Sequence, residues 1–460
     1  MTARGVVLVA VLVVTALVVV VALGLMFMMR AEVSASAANT RGEQAYEAAA
    51  SGLARATTIL KASAGDPKIW YDYPDVFLNQ FVADDGANRW YFTVYADPAD
   101  PQQRTPRYGL TDEAGKINLN VAPPETLLGL PNMSNELVDC LIDYRDADSD
   151  TRPEGAEQDY YDHLETPYVI ANAPLSSLEE LFFVKGFTAR IVYGEDANMN
   201  GILDPNEDDG DETFPPDNRD GVLDKGLRAV ATVYSSERDV DNNRRPRVNI
   251  NGDPDAAKRA GLPERVTQFI KMYREDGGTF QHASDLLEMR HQLKSNPKNQ
   301  PGLKAGSWIE SQVGAAELPI IMDRLTTRAE SKRPVQGLVN VNTAPAEVLA
   351  ALPGMDPNLA QQIVDARRDL DPDAKSTVAW LYTQNLLDAA AFKTVAPFIT
   401  ARSFQYSVRC VGFGVPCGRY RVVEAVVDFS GSAPRVVYLR DVSRLGPPFA
   451  LDAESIERGQ

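Results

Sequence analysis

Several residue types that catalysis or metal binding would draw on are scarce in this chain. It has three histidines, His163, His282 and His291, none at the spacing of a zinc site or inside a nucleophile motif. No phosphate-binding loop or dinucleotide fingerprint occurs, and the adjacent carboxylates Glu179 and Glu180 read as a solvated helix face before they read as an acid/base pair. Enzymatic turnover is therefore not expected. Positive charge is also in short supply: 46 Lys and Arg against 64 Asp and Glu leave a formal net charge of -18. Such a surface stays soluble and repels phosphate backbones, so nucleic acid is not an expected partner. Cysteine occurs three times. Cys410 and Cys417 flank a short Gly/Pro-containing stretch between two strand-like segments, where a disulfide and two free thiols are both open readings; Cys140 reads as a small buried apolar residue.

Charge and proline are missing altogether from Val6 to Met29. At roughly 1.5 Å per residue this run exceeds the roughly 30 Å hydrocarbon core of a bilayer, whereas the apolar stretch of a cleaved signal is about 7 to 15 residues long. A transmembrane helix over 6–29 is expected, with Ala35-Ser36-Ala37 keeping a cleaved signal as the competing reading. From Arg30 to about Ala62 apolar positions recur at three- and four-residue spacing, which continues the helix out of the membrane. Strands are expected over Trp90–Tyr95, Arg107–Leu110, Phe404–Val411, Tyr420–Phe429 and Val436–Arg440. Sheet segments at both ends of the chain point to one domain interrupted by an insertion, an α+β fold.

Inside the insertion a tetrapeptide recurs: Ile117-Asn-Leu-Asn120, Val248-Asn-Ile-Asn251 and Val339-Asn-Val-Asn342. Each copy precedes a pair of helical patterns, and the distance from its second Asn to a helix-ending Arg is 25 residues for Arg145, 23 for Arg274 and 25 for Arg367. Three matching spacings define a repeat. A short helix, a turn such as Leu352-Pro-Gly-Met355 and a second helix together resemble the helix-hairpin-helix or SAM-like unit, whose usual association is DNA. The alternative role is packing. Phosphate capture needs free amides at a helix start, and Asp356 stands at one such start, where a carboxylate competes with phosphate.

Between Glu195 and Asp224 carboxylates dominate. Asp196, Asn198, Asn200, Gly201, Ile202, Asp204 and Glu207 fall at positions 1, 3, 5, 6, 7, 9 and 12 of a calcium loop, with Ile202 offering its carbonyl and Glu207 a bidentate carboxylate. With two neutral asparagines among the ligands the expected affinity is weak, roughly 10⁻⁵ to 10⁻³ M. Asp217, Asn218, Asp220 and Asp224 repeat part of the pattern as a possible second site. A solvated acidic loop without an ion is the plainer reading of both.

A second resemblance spans nearly the whole chain. Asp112-Glu-Ala-Gly-Lys-Ile-Asn-Leu-Asn120, Leu141-Ile-Asp-Tyr-Arg-Asp-Ala-Asp148 and Leu178-Glu-Glu-Leu-Phe-Phe-Val-Lys-Gly-Phe187 resemble, in order, segments of protein K of type II secretion. The Arg4-Gly5 junction ahead of the apolar run is similar to a prepilin peptidase site, with cleavage between Gly5 and Val6. Ala10 stands where most pilins carry a glutamate, a departure that protein K relatives share. The resemblance implies a minor pseudopilin at the tip of a pseudopilus: a single-pass inner-membrane protein, N-terminus cytoplasmic and bulk periplasmic. Its implied partners are other minor pseudopilins, the inner-membrane secretion platform and prepilin peptidase. The alternative is a membrane-anchored helix-hairpin-helix binding protein of the envelope, similar to a competence receptor. The expected organisation is a leader over 1–5 and a membrane helix over 6–29. A pilin-like α/β domain follows from 30–116 and 401–446, a first repeat with the calcium loop over 117–242, second and third repeats over 243–400, and a tail over 447–460.

Overall fold

The computed structural model describes residues 3–63, 66–98, 103–253, 255–297, 302–329 and 334–451. The expected leader residues Met1 and Thr2 and the expected tail beyond Leu451 lie outside the described residues, and for Gly5 and Val6 only the helical backbone is described.

One helix, α1 (Ala3–Ser63), carries the apolar run and continues past it. From Val7 to Ser36 every side chain is exposed, so this half has no protein neighbour and its apolar surface matches a membrane anchor. The second half is amphipathic and buries Ala45, Ala48, Ala49, Ala56 and Leu60 against a sheet. Small residues set how closely they approach. A Cβ at Gly412 would collide with the backbone of Ala45 and Ala49, and one at Gly52 with Cys410 and Phe92.

The sheet is antiparallel, with β1 (Gln80–Asp84), β2 (Arg89–Tyr95), β4 (Gln405–Val415), β5 (Tyr420–Asp428) and β6 (Arg435–Asp441) side by side in that order. The short β3 (Thr111–Asp112) pairs with the first residues of β4. Period-two alternation divides its faces. Phe92, Val94, Val408, Cys410, Val423 and Val427 face α1 and a core that includes Trp70 and Phe77. Tyr91, Tyr95, Val411, Phe413 and Val422 face away and are covered by Val442, Leu445 and Phe449 near the C-terminus. Arg107–Leu110, expected as a strand, is one isolated bridge from Arg107 to Ala96 followed by a bend. The buried Arg107 guanidinium draws the carbonyls of Tyr71 and Leu110 towards it, and this curls the segment off the ladder until β3.

β2 and β4 are neighbours in the sheet although nearly the whole insertion separates them in sequence. The insertion is three units of the same design. Each begins with the repeated tetrapeptide, whose first two residues pair in parallel with the unit's last two: Ile117–Asn118 with Ala231–Thr232, Val248–Asn249 with Leu325–Thr326, and Val339–Asn340 with Ile399–Thr400. In each, the first Asn turns its side-chain oxygen back to the amide of the second. The second Asn reaches a distant carbonyl, of Leu175, Phe280 or Lys375. The helix-ending arginine closes the turn by donating to its carbonyls: Arg145 to Leu119 and Ala122, Arg274 to Asn251, Arg367 to Val341 and Ala344. All three units share one apolar core, from Ile117 through Phe269 to Ile399.

Candidate metal centres and interaction surfaces

Gly194, at φ 66°, ends the short helix Ala189–Tyr193, and the chain turns directly into the first acidic loop. That loop is not a solvated one: Asp196, Asn200 and Glu207 are 1%, 3% and 1% exposed. Gly201, at φ 73°, supplies the sharp turn that L side chains resist. Asp196 accepts from the amides of Asn200 and Gly201, both at 2.9 Å, and Glu207 from those of Ala197 and Asp204, both at 3.0 Å. Asn198 and Asn200 donate their side-chain amides to Asp204 at 2.7 and 2.9 Å. Asp196, Asn198, Asn200, Asp204 and Glu207 are thus linked through one hydrogen-bonded turn, with their carboxylate oxygens held by backbone and side-chain donors. Burial pushes the Glu207 carboxyl up to about 7 and raises that of Asp196.

The loop is wedged between the insertion and the sheet. Arg409 of β4 donates to the Met199 carbonyl and to Asp97. Although burial opposes it, Arg409 and Lys225 hold the Asp97 carboxyl well below the usual range. Arg228 stands 3.8 Å from Asp196 and 3.6 Å from Glu424 of β5. Arg104 donates to Leu203, and Asn200 to Pro448 beside the C-terminal cover of the sheet.

Asp217, Asn218, Asp220 and Asp224 do not gather in the same way. Asp217 accepts from the amides of Asp209, Gly210 and Arg219, while Asp224 turns to Gly226 and Asn132. Each carboxylate serves its own turn. Cys410 and Cys417 are free thiols. Cys410 faces α1 beside Gly52, whereas the Cys417 Sγ lies 3.5 Å from the Gly414 carbonyl. Four residues of extended strand are roughly 13 Å, beyond disulfide reach, so the bonded reading is corrected.

Among the described residues, one group of three acidic side chains brings its oxygens within 4.8 Å of one another: Asp146, Asp148 and Glu157. Burial first, and then neighbouring carboxylates, raise the carboxyls of Asp146 and Glu157. A signal was present in the sequence, since Asp146-Ala-Asp148-Ser-Asp150 with Glu157 follows the spacing 1, 3, 5 and 12. Thr151 stands at position 6, where the complete calcium-loop pattern has glycine.

Two of the second-helix starts in the repeat units are capped by side chains: Asp356 accepts from the amides of Asn358 and Leu359, and Ser134 accepts from Leu137, whereas the helix Glu264–Glu275 follows Pro263 without a side-chain cap. At the two capped starts an anion finds amides already occupied.

Two segments match family models described as type II secretion system (T2SS), protein K: residues 125–193, in the first unit, and 339–407, covering the third unit and the entry to β4. No curated protein matches the chain. A solved structure similar to it is the GspK-GspI-GspJ complex of the enterotoxigenic Escherichia coli type 2 secretion system, at 14% identity, over 88% of this chain and 99% of that one, with a TM-score of 0.35. By the two family matches, the molecule is a component of the type II secretion system. Within that system it belongs to the protein K family.

Proposed function

We propose that this chain acts as a minor pseudopilin, taking its place at the tip of a type II pseudopilus with other minor pseudopilins and working by assembly without catalytic turnover. The observation that carries this reading is the occurrence of two protein K segments, in order, in one chain that also has a long exposed apolar helix packed onto a sheet. In this reading α1 is a single-pass anchor in the inner membrane, with its start in the cytoplasm and the body in the periplasm. The helix and sheet form the pilin-like module, and the three units are helix-hairpin-helix-like repeats that serve packing. The side-chain caps at Ser134 and Asp356 and the carbonyl-bound arginines favour that role over envelope nucleic-acid capture. A weakly held calcium ion at Asp196–Glu207 belongs to the same proposal. Its ligands lie beside contacts to both the sheet and the segment at Pro448.

Processing by prepilin peptidase between Gly5 and Val6 is the most direct test. N-terminal sequencing of the protein from a strain carrying the peptidase is expected to give Val6, methylated. An intact Met1 or Thr2 would overturn the pseudopilin reading in favour of an ordinary anchored protein.

A further inference from the structure

The apolar core of the insertion and those of the helix-and-sheet module do not merge. One cluster runs from Ile117 to Ile399, and the clusters formed around the sheet draw no residue from between 117 and 400. The chain passes from one body to the other at 112–117 and 400–405, and these crossings lie side by side, with Asp112 opposite Tyr406 in the sheet. Beside them Asp112 accepts from the side chains of Asn340 and Thr343, at 2.9 and 2.5 Å, and Gln405 donates to the Ser236 hydroxyl at 3.0 Å.

Between the bodies lies a cavity of about 620 Å³, walled by Ser407, Val426 and Tyr438 of the sheet and by Arg228, Tyr234 and Thr343 of the insertion. Elsewhere on its wall the contacts that cross the seam are ionic. Glu179 accepts from Arg440 at 2.7 Å and from the Tyr438 hydroxyl at 3.1 Å. Arg228 stands 3.6 Å from Glu424, and Lys225 stands 3.7 Å from Asp97. Rings meet once among the described residues, Tyr234 with Tyr438 at 5.9 Å. Arg104, Asn200 and Arg409 each bond a single carbonyl across the seam.

We propose that the insertion rocks on the module about the two crossings, and that Glu179, clasped by Tyr438 and Arg440, is the latch that holds the docked pose. A seam without a shared apolar core gives up little hydrophobic burial when it opens, and polar interfaces within a chain permit relative motion of the bodies they join. The Glu179 and Arg440 side chains are 33% and 38% exposed, so salt reaches the pair and weakens it. Sequence reads Glu179 and Glu180 alike, as a solvated face. The fold separates them, since Glu180 turns back to Ser176 within its own unit. Rocking re-aims the insertion while α1 stays packed on the sheet, because the contacts of α1 lie wholly on the module's side of the seam.

The test uses the full chain in detergent with Cys417→Ser, Arg55→Cys on α1 and Glu165→Cys in the first unit, the two new thiols at exposed positions and the remaining cysteines buried. Spin labels on the two thiols report the distance between the bodies by pulsed electron resonance. At low salt a single narrow distance is expected. In about 0.5 M salt, where screening acts within about 4 Å, a second and longer population should appear. Glu179→Gln removes a charge-assisted bond and should shift the balance towards the longer distance about tenfold or more at low salt. Glu180→Gln, one residue away, should leave the narrow distance unchanged. The melting temperature of Glu179→Gln should stay near that of its parent, because neither apolar core is touched. One narrow distance in Glu179→Gln at both salt concentrations would overturn the proposal, and so would equal broadening in Glu180→Gln. Prepilin processing has no part in the measurement, so its outcome is separate from that of the pseudopilin reading.

Discussion

Arg367 closes the third unit by donating to the carbonyls of Val341 and Ala344 at 3.0 and 2.6 Å. Burial lowers its pKa to about 10, so it remains charged at neutral pH. Removing it strands two carbonyls, and charge-assisted hydrogen bonds are worth about 1.5 to 3 kcal/mol each. Arg367→Ala is therefore expected to destabilise the fold by about 3 kcal/mol, read as a lowered denaturant midpoint through the fluorescence of Trp380, whose indole N–H donates to Asn342. An unchanged midpoint would mean the clamp is ornamental. His282 offers a second test. Its Nδ1 accepts from the Ser284 amide, so the fold holds the ring neutral; burial lowers its pKa to about 4, with Asp285 opposing and Arg247 assisting. An unfolded histidine titrates near 6.5, so this contribution is complete above about pH 6.5 and lost as pH falls towards 4. Denaturant midpoints measured from pH 7 to 4 should fall, and His282→Asn should flatten that slope.

At the scale of elements, the contact between α1 and β4 depends on glycine. Gly412→Val would push its side chain into the backbone of Ala45 and Ala49, where no rotamer gives relief. A loss of several kcal/mol, about 3 or more, is expected, with faster amide exchange in α1 beyond residue 42. Gly431→Ala, whose Cβ meets nothing closer than 3.4 Å, is the control and should stay within about 0.5 kcal/mol. The loop at Asp196–Glu207 makes the other prediction at this scale. Saturating calcium at a hundredfold excess over its Kd should stabilise the protein by about 2.7 kcal/mol. Glu207→Ala and Asp196→Ala should each abolish that loop's share of the calcium-dependent rise in melting temperature. An unaltered rise in both variants would assign it to the other acidic cluster.

For the whole molecule, bulk decides position. The slender helix α1 carries a body in which the insertion outweighs the sheet, and such a body packs poorly at every step of a thin fibre. Labelled protein is expected at one end of the pseudopilus at low stoichiometry. Labelling along the shaft would contradict a tip location. Ala10 sits on an exposed face of α1, without a carboxylate to meet the charged amine of a preceding subunit. Ala10→Glu should accordingly leave membrane insertion intact, as carbonate extraction would show.

Much of this architecture was legible in one dimension. The apolar run specifies α1, runs of aromatic and β-branched residues place β2, β4, β5 and β6 to within a few residues, and Asn-x-Asn with its spaced arginine marks three units. These signals are local, because each element's period is written in its own side chains. Only the tertiary structure decided which distant segments meet. Thr232, Thr326 and Thr400 end the units that the tetrapeptides open, yet no spacing announces them. Arg409, Asp97 and Pro448 bury a loop that composition describes as solvated. Cys410 and Cys417, close in sequence, are kept apart by the rise of an extended strand, and Asp146 and Glu157 are brought together because a helix end, a turn and a helix start share one core. Pairing across long separations depends on burial and hydrogen bonding between residues that carry no mark of each other, and this is where the sequence falls silent.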